Sequence, residues 1–362
     1  MSERVLARHT GCRPTIHSFA LSLFHSFNPF TPSLMSLPLD ELFDQFDTLR
    51  VLIIGDVMLD SYVWGRVERI SPEAPVPVVT VDRRERRLGG AGNVLLNVQA
   101  LGAEAIICSI IGTDAPGDLL QQELCDRGLN CDGLIRSNDR ITTIKERIIA
   151  GSQQVVRVDT ETDKYINADE REQLVAKAKE LIPTCHVVIF EDYDKGVLSK
   201  EAIAEITDFA NAQNVPTVVD PKKRNFLSYR NATLFKPNLK ELREGLKLDF
   251  DIDDTDEFQA AVDQLKSTLN IKGALITLSE RGVFIDYNGE KRQLPAHIRQ
   301  IADVSGAGDT VISIAACCVA LKQSPAIIAG LSNLGGGLVC ESVGVVPINK
   351  AQLKQEAKEN LG

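Results

Sequence analysis

The chain has 362 residues, enough for one large α/β domain or two ordinary ones. A net charge of -10 excludes a protein that binds nucleic acid by neutralising its phosphates over a broad surface, and it favours solubility. No stretch holds the ~20 consecutive apolar residues that a membrane span needs, and the five histidines show no ligand spacing that would predict structural zinc.

Residues 1–36 differ from the rest. No Lys, Arg, Asp or Glu occurs between Arg13 and Asp40, and the apolar run Phe19–Phe24 is too short and broken for a clear signal peptide. We read this segment as a poorly ordered extension, with Met35 as a plausible start, and place one folded domain over 37–362. The eight cysteines contain no C-x-x-C pair, and several lie in apolar runs. They read as small buried residues in a reducing, cytoplasmic setting.

Leu39, Leu42, Phe43 and Phe46 have helical spacing. Val51–Ile54 is a continuous apolar run, as expected of a buried parallel strand. It ends at Gly55-Asp56, with Asp60 close behind. Acids in that position either bind a ligand hydroxyl or cap a turn. The G-x-G-x-x-G of a dinucleotide fold is missing here, which makes an oxidoreductase a poor reading. The proline-rich stretch from Ser71 to Pro77, between Tyr62–Trp64 and Val78–Val81, predicts edge strands or a flap. Arg83, Arg84, Arg86 and Arg87 then form either a solvated turn or a supply of cations for an anionic substrate.

Leu88-Gly-Gly-Ala-Gly-Asn93 opens a helix that stops at Gly102. Its glycines let a ligand approach the backbone, and Asn93 offers both a donor and an acceptor. A strand over 105–111 and a helix over 114–127 follow. Residues 134–158 alternate like a hairpin turning at Gly151-Ser152. With the 60–84 segment they predict a small β lid. Lys145, Arg147 and Arg157 are candidates for a substrate phosphate and Asp159 for a hydroxyl, or simply exposed strand charges.

From residue 168 helix and strand alternate strictly. Polar residues recur just past each strand: Glu191-Asp192, Asp220-Pro-Lys222, Pro237-Asn-Leu-Lys-Glu241 and Ser279-Glu-Arg-Gly282. A doubly wound sheet places its site there. Asp303-Val-Ser-Gly-Ala-Gly-Asp309 precedes an apolar helix from Val311 to Leu321. Free amides and the helix dipole make Gly306, Ala307 and Gly308 an anion cradle, and Asp309 adds a general base beside it. Phosphoryl transfer to a hydroxyl needs that pairing.

Gly89-Gly-Ala-Gly-Asn93, with Gly102 and Gly112, and Asp303–Asp309 match two signatures. On them the chain from about residue 50 resembles the ribokinase-like (PfkB) carbohydrate kinases. Leu95 and Ile314 depart from that pattern, where small residues are usual. Gly335-Gly-Gly337 stands where an alanine-rich helix is expected, and Ser305 replaces the usual Thr. Within the family the resemblance is strongest to the heptose-7-phosphate kinases of lipopolysaccharide precursor synthesis. It rests on Gly55–Asp60, Arg69-Ile-Ser-Pro-Glu-Ala-Pro-Val-Pro-Val78, Asp192-Tyr-Asp-Lys-Gly196 and the motifs above. Many members of that group carry a further nucleotidyltransferase domain, which the roughly 50 residues after Asp309 would not accommodate.

The resemblance implies a doubly wound, mostly parallel sheet with helices on both faces and a β lid. It implies ATP as donor, Mg²⁺, a monovalent cation in some members, and a homodimer made through the lids, with no nucleic-acid or membrane partner. By the same resemblance Asp309 is the base, ionised at neutral pH if its pKa is the ordinary ~3.9. Asn238, Leu239, Lys240, Glu241, Ser279, Glu280 and Gly282 lie at the nucleotide, with Asn238 and Glu241 holding Mg²⁺ through water. Asp56, Asp60, Gly89, Gly90, Asn93, Lys145, Arg157, Asp192 and Lys195 grip the sugar phosphate, and Lys222 is a further phosphate-site cation. The expected reaction is phosphorylation of the anomeric hydroxyl of D-glycero-β-D-manno-heptose 7-phosphate. A kinase for another sugar phosphate and a degenerate sugar-binding regulator are the alternatives.

Overall fold

The computed structural model describes residues 37–361 apart from Ser152 and Ile298; the expected N-terminal extension lies outside the described residues. The chain opens with α1 (Leu39–Gln45), β1 (Arg50–Gly55), β2 (Val57–Ile70), β3 (Pro77–Gly90), α2 (Ala91–Ala100), β4 (Glu104–Gly112) and α3 (Ala115–Asp126). It continues with β5 (Asn130–Ser137), β6 (Ile144–Ala150), β7 (Gln153–Thr160), α4 (Ala168–Leu181), β8 (Val187–Glu191), α5 (Lys200–Ala212), β9 (Thr217–Asp220) and β10 (Leu234–Phe235). Then come α6 (Leu239–Leu246), α7 (Thr255–Leu269), β11 (Gly273–Thr277), β12 (Val283–Tyr287), β13 (Glu290–Leu294), α8 (Ala307–Ala320), α9 (Pro325–Val339) and α10 (Lys350–Asn360).

Nine strands form one sheet in the order β13-β12-β11-β10-β9-β8-β1-β4-β5. Every pairing from β11 to β5 is parallel, and the β12–β13 hairpin closes one edge antiparallel. Alternation along each strand divides the apolar residues between two cores. Val51 and Ile53 pack with α2, α8 and α9 on one face. Leu52 and Ile54 pack with α4, α5 and α7 on the other. This is the doubly wound, mostly parallel α/β architecture expected, with helices on both faces. From β1 the chain moves outward to β4 and β5, then restarts at β8 on the other side of β1. The carboxyl ends of β1 and β8 therefore flank a topological switch point, where such sheets bind ligands.

Four strands form a second sheet, β3-β2-β6-β7. Its root is buried, from Val57 to Val63, whereas residues 66–70 of β2 and all of β7 are exposed. This matches the expected lid with one correction. Residues 134–137 belong to β5, which pairs with β4 in the large sheet, and the lid strand starts at Ile144. An edge strand with one wet face alternates like a hairpin, so periodicity alone could not separate them. The β12–β13 hairpin was also missed, although its turn, Asn288-Gly289, with φ 51° and 80°, is a strong two-residue hairpin signal.

The Gly335–Gly337 stretch keeps its helix, inside α9. A Cβ at Gly335 would lie 2.1 Å from Ile314 Cδ1. The bulky Ile314 and the bare Gly335 are thus one packing unit between α8 and α9, and the two departures from the family pattern compensate each other. Gly335→Ala is expected to cost about 1–3 kcal/mol through overpacking. In an Ile314→Ala background the same change should cost little, so urea denaturation of the four chains of this double-mutant cycle should show strong coupling.

Candidate active site

Gly306 caps the start of α8, and its φ of 82° lets the chain enter the helix abruptly. Asp303 shapes the approach: its Oδ1 accepts from the Ser305 amide at 3.0 Å and hydroxyl at 2.8 Å, and its Oδ2 accepts from Gly344 N at 3.0 Å. The Ala307 amide donates to the Val304 carbonyl at 3.3 Å, so of the three positions expected to cradle an anion Gly306 and Gly308 are the ones whose amides remain to offer. Asp309 sits in that turn and is buried. Asn93 Nδ2 donates to one of its oxygens at 2.7 Å and the Tyr193 hydroxyl to the other at 2.9 Å. Asn93 is held by α2, and Tyr193 by the turn after β8.

Burial raises the Asp309 carboxyl to about 6, the Asn93 bond opposing and nearby Asp220 adding to the rise. The ordinary value expected from sequence is therefore corrected; Asp309 stays mostly ionised at pH 7. A base must be deprotonated to act, so kcat is expected to fall as pH drops, half-maximal near pH 6. A pH–rate profile flat from pH 5 to 8 would remove Asp309 from that role.

Two further carboxylates converge here. Glu191, at the end of β8, and Asp220, at the end of β9, each place an oxygen within 4.8 Å of one another and of Asp309. Burial pushes the Glu191 carboxyl well up, and its two acidic neighbours add to that. Lys236 Nζ lies 2.8 Å from Asp220, and Lys222 Nζ lies 3.0 Å from Glu241. Sequence reasoning placed a cation at Lys222 but missed Lys236 and the inward Glu191. The signal was there: each is polar at the end of an otherwise apolar strand.

Asn238 and Glu241 form a reciprocal capping box on α6, with both bonds at 2.8 Å. Each spends one oxygen on the helix. Leu239 packs towards the core. The Lys240 side chain is exposed near Glu244, at 3.8 Å, and does not line the cleft. Ser279, Glu280 and Gly282 do line it, in a cavity of about 650 Å³ that runs to Ala307 and Gly308. That volume is ordinary for a small-molecule site. His297 and Arg299, from the loop before α8, and Asn333, from α9, line it too and were not foreseen, since neither segment carries a motif.

On the opposite side Asp56 accepts three backbone amides, from Tyr193 at 2.8 Å, Lys195 at 3.0 Å and Val197 at 3.0 Å. Burial, then Asp192, raises its carboxyl to about 6. Here Asp56 shapes the 193–197 turn, and so delivers Tyr193 to Asp309. Asp192 is corrected as a sugar contact. It is buried and accepts from Tyr229 Oη at 2.7 Å, Asn225 Nδ2 at 3.0 Å and Asp194 N at 2.8 Å. Asp60 pairs with Arg147 at 2.5 Å, and Lys145 stands opposite it in the lid register. Gly89 and Gly90 sit where β3 meets α2, closely backed by Asp60 and by the Asp56 carbonyl. Lys195 Nζ pairs with Glu161 at 2.8 Å. Arg157 pairs with Asp159 at 2.9 Å on the exposed strand β7, which favours the alternative of exposed strand charges for these two residues.

A family profile described as pfkB family carbohydrate kinase matches residues 48–351. The chain is 38% identical over 315 residues to "Bifunctional protein HldE" of Desulfatibacillum aliphaticivorans, covering 87% of this chain and 64% of that protein. It is 37% identical over 314 residues to the protein of the same name from Campylobacter fetus, covering 87% and 68%. The chain thus spans about two thirds or less of the length of most of these curated relatives. Among solved structures it resembles the tetrameric inhibited form of phosphofructokinase-2 from Escherichia coli, with a TM-score of 0.71, 18% identity, and coverage of 86% and 99%. It also resembles Arabidopsis thaliana ribokinase complexed with ribose and ATP, with a TM-score of 0.65, 16% identity, and coverage of 85% and 99%.

Proposed function

Since the chain belongs to the pfkB family of carbohydrate kinases, we propose that it moves the γ-phosphate of ATP to the anomeric hydroxyl of D-glycero-β-D-manno-heptose 7-phosphate. The product is the 1,7-bisphosphate. The observation that carries the phosphotransfer is Asp309, buried between Asn93 and Tyr193 in the first turn of α8 and beside a cleft large enough for a nucleotide. The heptose assignment is supported by the Ile70–Pro77 run and by relatives at 36–38% identity.

Asp309 takes the proton of the sugar hydroxyl as its oxygen bonds to the γ-phosphorus. The bond to the β,γ-bridging oxygen breaks and ADP leaves. Asn93 and Tyr193 hold the carboxylate in position and exclude competing water. The amides of Gly306 and Gly308 take up the charge of the transferring phosphoryl group. Glu241 and Asn238 would hold Mg²⁺ through water, since their side-chain oxygens already accept from the helix cap and from Lys222. When bound, Mg²⁺ supplies positive charge to the nucleotide phosphates. We assign the 7-phosphate to Lys145 and Arg147, which flank Asp60 at the lid root, with Asp60 and Gly89–Gly90 on the sugar.

The test is turnover with ATP and Mg²⁺ across a panel of sugars and sugar phosphates. Heptose 7-phosphate should be used and ribose or fructose phosphates hardly at all; the reverse preference would overturn the substrate. The seven cysteines among the described residues are free thiols, which supports a reducing cytoplasmic setting, and no helix there is long and apolar enough to cross a membrane. The lids expose Ile70, Val76, Val81, Val156 and Val158, which supports pairing of two copies through them. Light scattering should give twice the mass of one chain, and Val156→Asp with Val158→Asp should halve it.

A further inference from the structure

One wall of the nucleotide cleft is the loop between β13 and α8, which contributes Ala296, His297, Arg299, Ile301 and Val304. Its bonds to the rest of the chain run to α9, α10 and the segment between them. Asn333 Nδ2 of α9 donates to the Pro295 carbonyl at 2.7 Å, and the Ala302 and Asp303 amides donate to the Cys340 carbonyl at 2.8 and 3.2 Å. Between those two ends Arg299 ties the loop down. Its Nη1 donates to Glu341 at 2.9 Å and to Glu356 of α10 at 3.2 Å, and its Nη2 donates to the other oxygen of Glu356. The Arg299 side chain is 9% exposed. A guanidinium so buried has to be paired. With two carboxylates on it, Arg299 is not free to serve as a phosphate cation.

Arg299 reaches α10 across α9, and a glycine makes room for it. A Cβ at Gly337 would lie 2.8 Å from Arg299 Nε and 3.1 Å from its Cδ. The far end of the side chain is pinned, so it could not swing aside. Helix α10 is held in turn. Leu353 and Ala357 are buried in the core on the α8 face, and Lys354 and Lys358 pair with Asp40 of α1 at 3.0 and 2.7 Å. We propose that Arg299 is a positioning residue for the nucleotide. Clamped to Glu356 through the notch at Gly337, it sets where the 295–303 wall stands. Helix α10, which does not line the cleft, thereby governs nucleotide affinity. The proposal rests on the kinase reading and adds to it a dependence on a helix outside the cleft.

The probe is ADP with Mg²⁺, titrated by calorimetry into the full chain without sugar. Glu356→Ala removes both bonds to Glu356 and suits a helix interior. It should weaken ADP about tenfold, a size of effect that residues off a binding site can exert, with the circular dichroism spectrum unchanged. Lys358→Ala, on the same helix, should bind ADP as the wild type does. In turnover, Glu356→Ala should raise KM for ATP and leave KM for the sugar phosphate alone. Gly337→Ala should weaken ADP in the wild-type background and add little once Glu356→Ala has freed Arg299. If Glu356→Ala does not fold, hydrogen exchange on the wild type decides: ADP should slow the α10 amides more than those of α5 on the opposite face. The clamp is overturned if Glu356→Ala binds ADP as the wild type does or if Lys358→Ala loses as much. It is also overturned if the Gly337 and Glu356 losses add fully, or if ADP leaves exchange in α10 unchanged. Those outcomes leave the kinase reading intact, whereas a wild type that binds no ADP would sink both.

Discussion

Asp309→Asn is expected to lower kcat by about 10²–10⁴-fold, the usual contribution of a positioned general base, with a much smaller change in KM. The fold should survive. The substitution keeps the volume; the new amide oxygen accepts from Asn93, and the Tyr193 hydroxyl can turn to accept from the new amide nitrogen. Stability at neutral pH should even rise. The wild-type carboxyl sits at about 6 in the folded chain, against 3.8 unperturbed. A group raised on folding gives its full stability below the unfolded value and loses it as pH climbs through the folded one. The penalty at pH 7.5 is at most on the order of 3 kcal/mol, since one pKa unit is about 1.4 kcal/mol. The variant's advantage in urea midpoint should therefore be present at pH 7.5 and vanish near pH 4. A variant that turned over like the wild type would leave the site without its base.

Gly90→Ala should act through the backbone. Gly90 has φ 58° and ψ -133°, a conformation that side chains avoid. A Cβ there would also lie 2.4 Å from the Asp56 carbonyl oxygen, which is backbone and cannot swing away. That carbonyl accepts the Ala91 amide at 3.0 Å and so starts α2. Strain and overpacking together should cost about 2–5 kcal/mol. Any survivor should lose activity as well, because Asn93 rides on the first turn of α2. Gly128→Ala is the control. Its φ is 65°, but its Cβ would meet nothing within 4 Å, so only the conformational cost, about 1 kcal/mol, should remain. Equal urea midpoints for the two variants would refute the role given to the Asp56 contact.

The fold was legible where periodicity and position agree. Short apolar runs ending in acids marked β1, β8 and β9, and the strict alternation from residue 168 marked the helices between the later strands. The lid boundary was less legible, because β5 and β6 have similar alternation and only their pairing separates them. Asp192 was misread for a related reason. It lies in the same short run of polar residues as Glu191, and the pleat sends successive side chains to opposite faces. Asp192 turns to Tyr229 and Asn225, whereas Glu191 turns to the site.

The sequence by itself determined the chemistry on offer. The glycine turn before α8, the carboxylate at Asp309 and the amide of Asn93 depend on local backbone freedom and residue type, both written in a few consecutive residues. Only the tertiary structure decided how these groups behave. Asn93 and Asp309 are 216 positions apart, and Tyr193 reaches Asp309 because Asp56 gathers three amides of a distant turn. The rise of the Asp309 carboxyl to about 6 and the unpartnered oxygens of Glu191 are effects of burial. Burial is set by what packs above a residue, and no window of sequence around it contains that.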